Sequence, residues 1–124
     1  MKGERIARVN RMLQSALAEL VPARVRDPRV QKAALVAVTG VQTSGDLRVA
    51  RVFVCVNGER AQAEEVLAGL KQASGFLRAE LGRRVSLRHT PELRFELDEA
   101  VATGARIEAI LKELGQTKKE EDHD

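Results

Sequence analysis

Apolar residues near the start of the chain recur every three or four positions, which is the spacing of one helix face. Five residues share this spacing: Ile6, Val9, Leu13, Leu17 and Leu20. The pattern predicts an amphipathic helix from Glu4 to Val21. Pro22 comes next, and a proline disfavours helical backbone at the residue before it. We therefore expect the helix to end there and residues 22–29 to form a loop.

The middle of the chain changes to a pattern of period two, which indicates strands. Leu35 to Val41 is rich in β-branched residues, and Leu47 to Val56 alternates between two faces. The turn-forming stretch Thr43-Ser44-Gly45-Asp46 separates them, so the pair predicts a β-hairpin that ends at Asn57-Gly58. Leu93 to Leu97 alternates in the same way and predicts a third strand.

Helical spacing returns between the hairpin and the third strand. Arg60 to Ala73 predicts one helix, and Gly75 to Leu81 predicts a second, with Gly82 in the position of a C-terminal cap. Val101 to Leu114 predicts a last helix. The sequence therefore predicts a single α+β domain over residues 1–114, with a three-stranded sheet and helices on one face. We expect the charged residues 115–124 to form a flexible tail.

Ser74 and Gly75 interrupt the helical pattern, and two interpretations are open. A glycine inside a helix costs about 1 kcal/mol relative to alanine and is often tolerated. Alternatively, Gly75 adopts a backbone conformation that a β-carbon would oppose, and Ser74 caps a second helix that starts at a new angle. The free amides of that helix would then form a site for a phosphate.

The charge of the chain is unevenly distributed. The 124 residues carry a net charge of +3, but the segment from Lys112 onward has three lysines against five acids. The first 32 residues have eight basic side chains against three acids, and arginine predominates. Arginine matches the geometry of phosphate, so this distribution indicates a polyanionic partner. A solvated basic surface without a partner is equally compatible with the charge alone.

The sequence contains no arrangement of residues typical of catalysis or metal binding. His89 and His123 are the only histidines and Cys55 is the only cysteine, too few for a zinc site. Cys55 lies in a valine-rich run, where we expect it to be buried. Nothing near Ser74 would activate it as a nucleophile. We expect no enzyme activity, no metal and no cofactor. Without an apolar span or a signal peptide, we expect no membrane association and a cytoplasmic protein.

One long segment carries a resemblance to a known family. "GFLRAELGRRVSLRHTPELRFELDEA", from Gly75 to Ala100, follows Ala73-Ser74-Gly75 and resembles bacterial ribosome-binding factor A. The hairpin "SGDLRVARVFVCV" from Ser44 to Val56 and the arginine-bearing first helix are similar too, so the likeness covers Lys2 to Leu114. It implies a KH-type fold of the second topology, with an Ala-x-Gly kink where RNA-binding KH domains carry Gly-x-x-Gly. The resemblance thus favours the break at Gly75.

The resemblance also implies a function. The family consists of small-subunit maturation factors, so we expect binding to immature 30S particles and 16S rRNA. The protein would assist late rRNA processing and folding, a role linked to growth in the cold. It would act without enzyme activity, and we expect a monomer. Because Gly-x-x-Gly is missing, the way in which ordinary KH domains grip single-stranded bases does not transfer directly.

The predicted contacts are mainly arginines, because aromatic residues are scarce. Phe53, Phe76 and Phe95 are the only aromatics, and the last two occupy core-like positions in the pattern. Stacking on aromatics is the usual way to hold unpaired bases, so we expect recognition through phosphates and RNA shape instead. Each arginine taken singly could equally be a solvated surface residue, but they cluster in two segments. The candidate contacts are Lys2, Arg5, Arg8, Arg11, Ser74, Gly75, Arg78, Arg83, Arg84 and Arg88.

Two other classes of function remain open at this stage. A basic α+β domain can bind duplex DNA, and a preference for structured rRNA at matched salt would exclude that. An enzyme or a small-molecule regulatory domain would need a pocket with convergent polar groups.

Overall fold

The computed structural model describes residues 2–33 and 35–98. The helices and strands follow one another in the order expected from the sequence, with one short helix added after the first. The elements are α1 (Lys2–Arg24), α2 (Pro28–Gln31), β1 (Val36–Thr43), β2 (Val49–Val56), α3 (Arg60–Gln72), α4 (Ser74–Arg84) and β3 (Glu92–Leu97). The predicted helix from Val101 to Leu114 and the predicted tail lie outside the described residues.

The three strands form one sheet in the order β1-β2-β3. β1 and β2 pair antiparallel as the predicted hairpin, and β3 lies parallel to β2 with Val52 opposite Phe95. Parallel neighbours need a long crossover, which α3 and α4 provide. The register of the hairpin shifts between Val38 and Gly40, where β1 has an irregularity. The α+β prediction with a three-stranded sheet is therefore confirmed.

The core lies between the sheet and the helices that pack on it. α1 packs against β1, α3 against β2 and β3, and α4 against α1 and β3. The apolar stripe of α1 is buried from Val9 to Leu20, with Ile6 partly exposed, and the valine face of β2 is buried as well. Residues without solvent exposure in this layer are Leu13, Leu17, Leu20, Ala50, Val52, Val54, Leu70, Leu77 and Leu81.

The first helix does not end at Pro22, and that prediction is wrong. α1 continues to Arg24 with Pro22 inside its last turn. A proline removes one N–H, which leaves the carbonyl of Ala18 without its helical partner. Ala18 is exposed, so water can reach that carbonyl, while Val21 and Val25 are both about 1% exposed. Burial of these two valines keeps the last turn on the core.

The predicted loop of residues 22–29 instead contains the start of α2. Asp27 caps this helix, because its carboxylate accepts a hydrogen bond from the Arg29 backbone N–H at 2.9 Å. The Arg29 guanidinium also donates to both carboxylate oxygens, at 3.0 and 2.7 Å. These bonds lower the pKa of Asp27 to about 2. Val30 is buried, which anchors the short helix against α3.

Gly82 is not a C-terminal cap, contrary to the prediction. α4 continues to Arg84, and the N–H of Val85 donates to the carbonyl of Leu81 at 2.8 Å. Gly82 therefore lies inside the helix. A β-carbon there would lie 3.2 Å from the Thr90 hydroxyl oxygen, so the glycine allows the segment before β3 to approach.

Candidate nucleic-acid interface

Three predicted arginines lie on the exposed side of α1. Arg5, Arg8 and Arg11 are all exposed, while Val9 and Leu13 face the core. Among the described residues, no carboxylate lies within salt-bridge distance of these three arginines. No described carboxylate therefore competes with an external anion for these guanidinium groups. Lys2 is the first residue of α1, and its side chain lies outside the described part.

The predicted arginines of α4 are already engaged with the rest of the protein. Arg78 Nε donates to the Thr90 carbonyl at 3.0 Å and so holds the segment that leads into β3. Arg83 Nη1 lies 3.5 Å from Glu80 Oε2, and Arg84 Nη1 lies 3.6 Å from Glu19 Oε2. The Arg84–Glu19 pair is exposed on both sides and contributes little to stability, so Arg84 can exchange its carboxylate for a phosphate, whereas the partner of Arg83 is a carboxylate that is only 9% exposed. Arg78 has a positioning role as well.

Two contacts bring the middle of α1 and the start of β3 to the turn of the hairpin. The side-chain oxygen of Asn10 accepts hydrogen bonds from the backbone N–H of Thr43, at 3.0 Å, and from the Thr43 hydroxyl. At the same end of the sheet, the N–H of Glu92 donates to the Arg48 carbonyl at 2.8 Å. We call this edge the hairpin end.

Exposed arginines lie in three segments that lead to the hairpin end. α1 brings its arginines beside Asn10, the turn before β2 brings Arg48, and the segment before β3 brings Arg88. Sequence reasoning missed Arg48, because an arginine in a turn normally just faces water. We call this set the hairpin-end arginines: Arg5, Arg8, Arg11, Arg48 and Arg88.

The kink lies away from the hairpin end. Arg24 contacts Glu80 at 2.8 Å and Glu19 contacts Arg84, so α4 runs antiparallel to the C-terminal half of α1. The start of α4 therefore lies beside the end of α1. With a rise of about 1.5 Å per residue, Arg11 and Arg24 are roughly 20 Å apart along α1. The predicted contacts thus form two separate groups rather than one site.

The helices α3 and α4 are separated by a break of one residue at Ala73, but Ser74 does not cap α4 and Gly75 does not have the constrained backbone that was predicted. The Ser74 hydroxyl donates to the Lys71 carbonyl at 2.8 Å and does not cap α4. Gly75 has ordinary negative φ and is exposed, and a β-carbon built on it meets no heavy atom within 4 Å. The glycine with positive φ in the described residues is Gly58, at 147°.

Replacing Gly75 with alanine is therefore expected to stabilise the protein. The added methyl group has open space, and alanine gains about 0.5–1 kcal/mol over glycine in helix propensity and unfolded-state entropy. Chemical denaturation followed by circular dichroism would measure the change. A loss of stability in Gly75→Ala would show that the kink depends on this glycine.

The aromatic residues also differ from the prediction at one position. Phe95 is 2% exposed, as expected for the core, but Phe76 is 43% exposed. Phe76 therefore presents an exposed ring beside the kink on which a base could stack.

One surface depression among the described residues can be compared with the pocket that a small-molecule ligand would need. A depression between α1, α2 and β1 contains one polar side chain, Gln31, whose amide nitrogen donates to the Val25 carbonyl at 2.6 Å. Its lining is Val21, Pro22, Val30, Gln31, Ala33, Leu35 and Val36. It therefore lacks convergent polar groups.

The same part of the chain contains no group of metal ligands and no membrane-spanning helix, and its cysteine is buried. Within residues 2–33 and 35–98, no group of three His, Cys, Asp or Glu side chains is placed to hold a metal. Cys55 is buried as predicted, and burial raises the pKa of its thiol. None of the helices seen here is long and apolar enough to cross a membrane.

Two helices with a one-residue break between them connect the parallel strands β2 and β3 of this basic α+β domain, an arrangement that matches a KH-like domain. The family model of ribosome-binding factor A matches residues 5–111, and the chain belongs to this family. The crystal structure of ribosome-binding factor A from Thermus thermophilus is 36% identical, with a TM-score of 0.64. The match covers 74% of this chain and 94% of that one.

Two further solved structures are similar. A homology model of Thermus thermophilus ribosome-binding factor A, fitted into a cryo-EM map of its complex with the 30S subunit, is 35% identical with a TM-score of 0.60. The match covers 75% of this chain and 94% of that one. The solution NMR structure of a candidate ribosome-binding factor A from Thermotoga maritima is 26% identical with a TM-score of 0.55, over 82% and 90% of the two chains.

Proposed function

We propose that this protein binds the free 30S ribosomal subunit and contacts 16S rRNA through the hairpin-end arginines. The observation that carries the proposal is that three segments joined at the hairpin end each carry exposed arginines, and that the α1 members have no carboxylate partner among the described residues. RNA presents closely spaced phosphates, and arginine binds them with charge-assisted hydrogen bonds.

The family assignment supports the ribosome as the source of that RNA. A relative with 35% identity has been fitted into the map of a complex with the 30S subunit. By analogy, this protein would bind immature 30S particles in the cytoplasm as a monomer. It would assist late processing and folding of 16S rRNA and support growth in the cold, with residues 1–114 as the binding domain. The role is one of binding, without a catalytic step or cofactor.

Sedimentation with purified ribosomal particles tests this proposal. We expect the protein to pellet with free 30S subunits and to remain in the supernatant with 70S ribosomes. A competition at matched salt should show that structured rRNA displaces the protein from 30S subunits better than duplex DNA of equal length. Failure to pellet with 30S subunits would contradict the proposal, and equal displacement by DNA would favour a general nucleic-acid-binding module.

A further inference from the structure

Phe76 is an exposed aromatic ring in the first turn of α4. The other two phenylalanines are not open in the same way. Phe95 is 2% exposed, and Phe53 is half-buried, with the Arg51 guanidinium 5.0 Å from its ring centroid. Arg51 is held there by two hydrogen bonds to Glu96, at 2.7 and 2.8 Å. Since the chain has no tryptophan or tyrosine, Phe76 offers its most accessible aromatic surface.

The charges beside this ring favour an anionic partner. The guanidinium of Arg24 lies 5.8 Å from the Phe76 ring centroid. One oxygen of Glu80 contacts Arg24 at 2.8 Å and the other contacts Arg83 at 3.5 Å. One carboxylate thus pairs with two guanidinium groups, so Glu80, Arg24 and Arg83 together carry a net positive charge. The side chain of Glu80 is 9% exposed and that of Arg24 is 48% exposed, so an approaching molecule meets the arginine.

The backbone next to the ring leaves room for a partner. Gly75 is exposed, and the space where its β-carbon would stand is open to 4 Å. A protein partner would favour further apolar area around the phenylalanine. Beside this ring lie instead a glycine and the Arg24 guanidinium, which belongs to a net positive group, and these suit a nucleotide with its flat base and charged phosphate.

We propose that Phe76 and Arg24 form a stacking site for one unpaired base of the RNA partner. The base stacks on the Phe76 ring, and Arg24 pairs with a phosphate of the same strand. The proposal rests on the proposed function and adds a second contact, roughly 20 Å along α1 from Arg11. It supplies the base contact that the arginine surface alone lacks.

A single tryptophan tests the stacking directly. Because the protein has no tryptophan or tyrosine, Phe76→Trp introduces one fluorophore at the site. We expect single-stranded oligoadenylate to quench its emission, and a blunt RNA duplex of equal length to leave it unchanged. Phe53→Trp is the matched control, since that position is half-buried in the sheet, and it should not respond. An unchanged Phe76→Trp emission at saturating oligoadenylate would overturn the proposal.

Affinity measurements separate this site from the arginine surface. Phe76→Leu keeps an apolar side chain but removes the ring, and we expect binding to 30S subunits to weaken by about 5- to 100-fold. Phe76→Tyr should bind like the original protein, and all three should melt at similar temperatures. The salt dependence should not change in Phe76→Leu, because no charge is lost.

The possible failures are distinguishable. If the original protein binds 30S subunits and Phe76→Leu binds equally well, the stacking site is wrong and the proposed function stands. If Phe76→Leu binds weakly but Phe76→Trp is not quenched, the ring contacts something other than a base, which also overturns the site. If the original protein does not bind 30S subunits, both proposals fail.

Discussion

Reversing the charge of Arg5, Arg8 and Arg11 is expected to weaken binding to 30S subunits by at least about 100-fold. Hydrogen bonds to charged groups contribute about 1.5–3 kcal/mol each, and 1.4 kcal/mol is a tenfold change in affinity. The triple glutamate variant also replaces attraction with repulsion. Because the three side chains are exposed and make no ion pairs with described residues, the melting temperature should change little. Titration of labelled 30S subunits would measure the loss.

A matched variant controls for net charge. Arg26, Arg60 and Arg94 are exposed and lie outside the candidate contacts. Each replacement of arginine by glutamate changes the charge by two, so both triple variants carry −3 instead of +3. The control should retain most of its affinity. Equal losses in the two variants would mean that binding depends on overall charge and not on the α1 surface.

Replacing Gly69 with valine is expected to destabilise the protein by about 2–3 kcal/mol. Gly69 is buried in α3 where α2 packs, and a β-carbon there would lie 2.9 Å from Val30 Cγ2 and 3.2 Å from Asp27 Cγ. Both neighbours would have to move, and overpacking typically costs about 1–3 kcal/mol. Displacement of Asp27 also disturbs the cap of α2, which contributes about 1 kcal/mol.

Gly75→Val is the matched control, because it makes the same change in the next helix where a β-carbon meets no neighbour. Its stability should stay within about 0.5 kcal/mol of the original, since valine and glycine differ little in helix propensity. Urea denaturation of both variants gives the comparison. Equal stability of Gly69→Val and the original protein would contradict the packing of α2 on α3.

Local periodicity was enough to predict most of the fold. The stripe from Ile6 to Leu20 and the alternation in Leu47 to Val56 and Leu93 to Leu97 each depend on residues close in sequence. The errors occur where contacts between residues far apart in the sequence determine the local structure. Helix α1 passes through Pro22 because Val21 and Val25 are buried, and α2 forms because Val30 packs on α3.

The local structure around Ser74 and Gly75 was predicted less well, for the same reason. Sequence alone does not show which glycine has a close neighbour, so Gly75 was assigned the conformational constraint, although it is Gly69 that lacks room for a β-carbon. The exposure of Phe76 did leave a signal. Leu70, Leu77 and Leu81 continue the buried stripe, and Phe76, one residue before Leu77, lies about 100° away from it around the helix.

The salt dependence of 30S binding tests the central claim most directly. Each phosphate contact releases counterions, so log K should fall linearly with log salt, with a slope of roughly −0.7 to −0.9 per contact. We expect a steep slope for the original protein and a slope shallower by about 2 when Arg5, Arg8 and Arg11 are replaced with glutamine. A flat response of the original protein, or the same slope in both, would contradict binding through the α1 arginines.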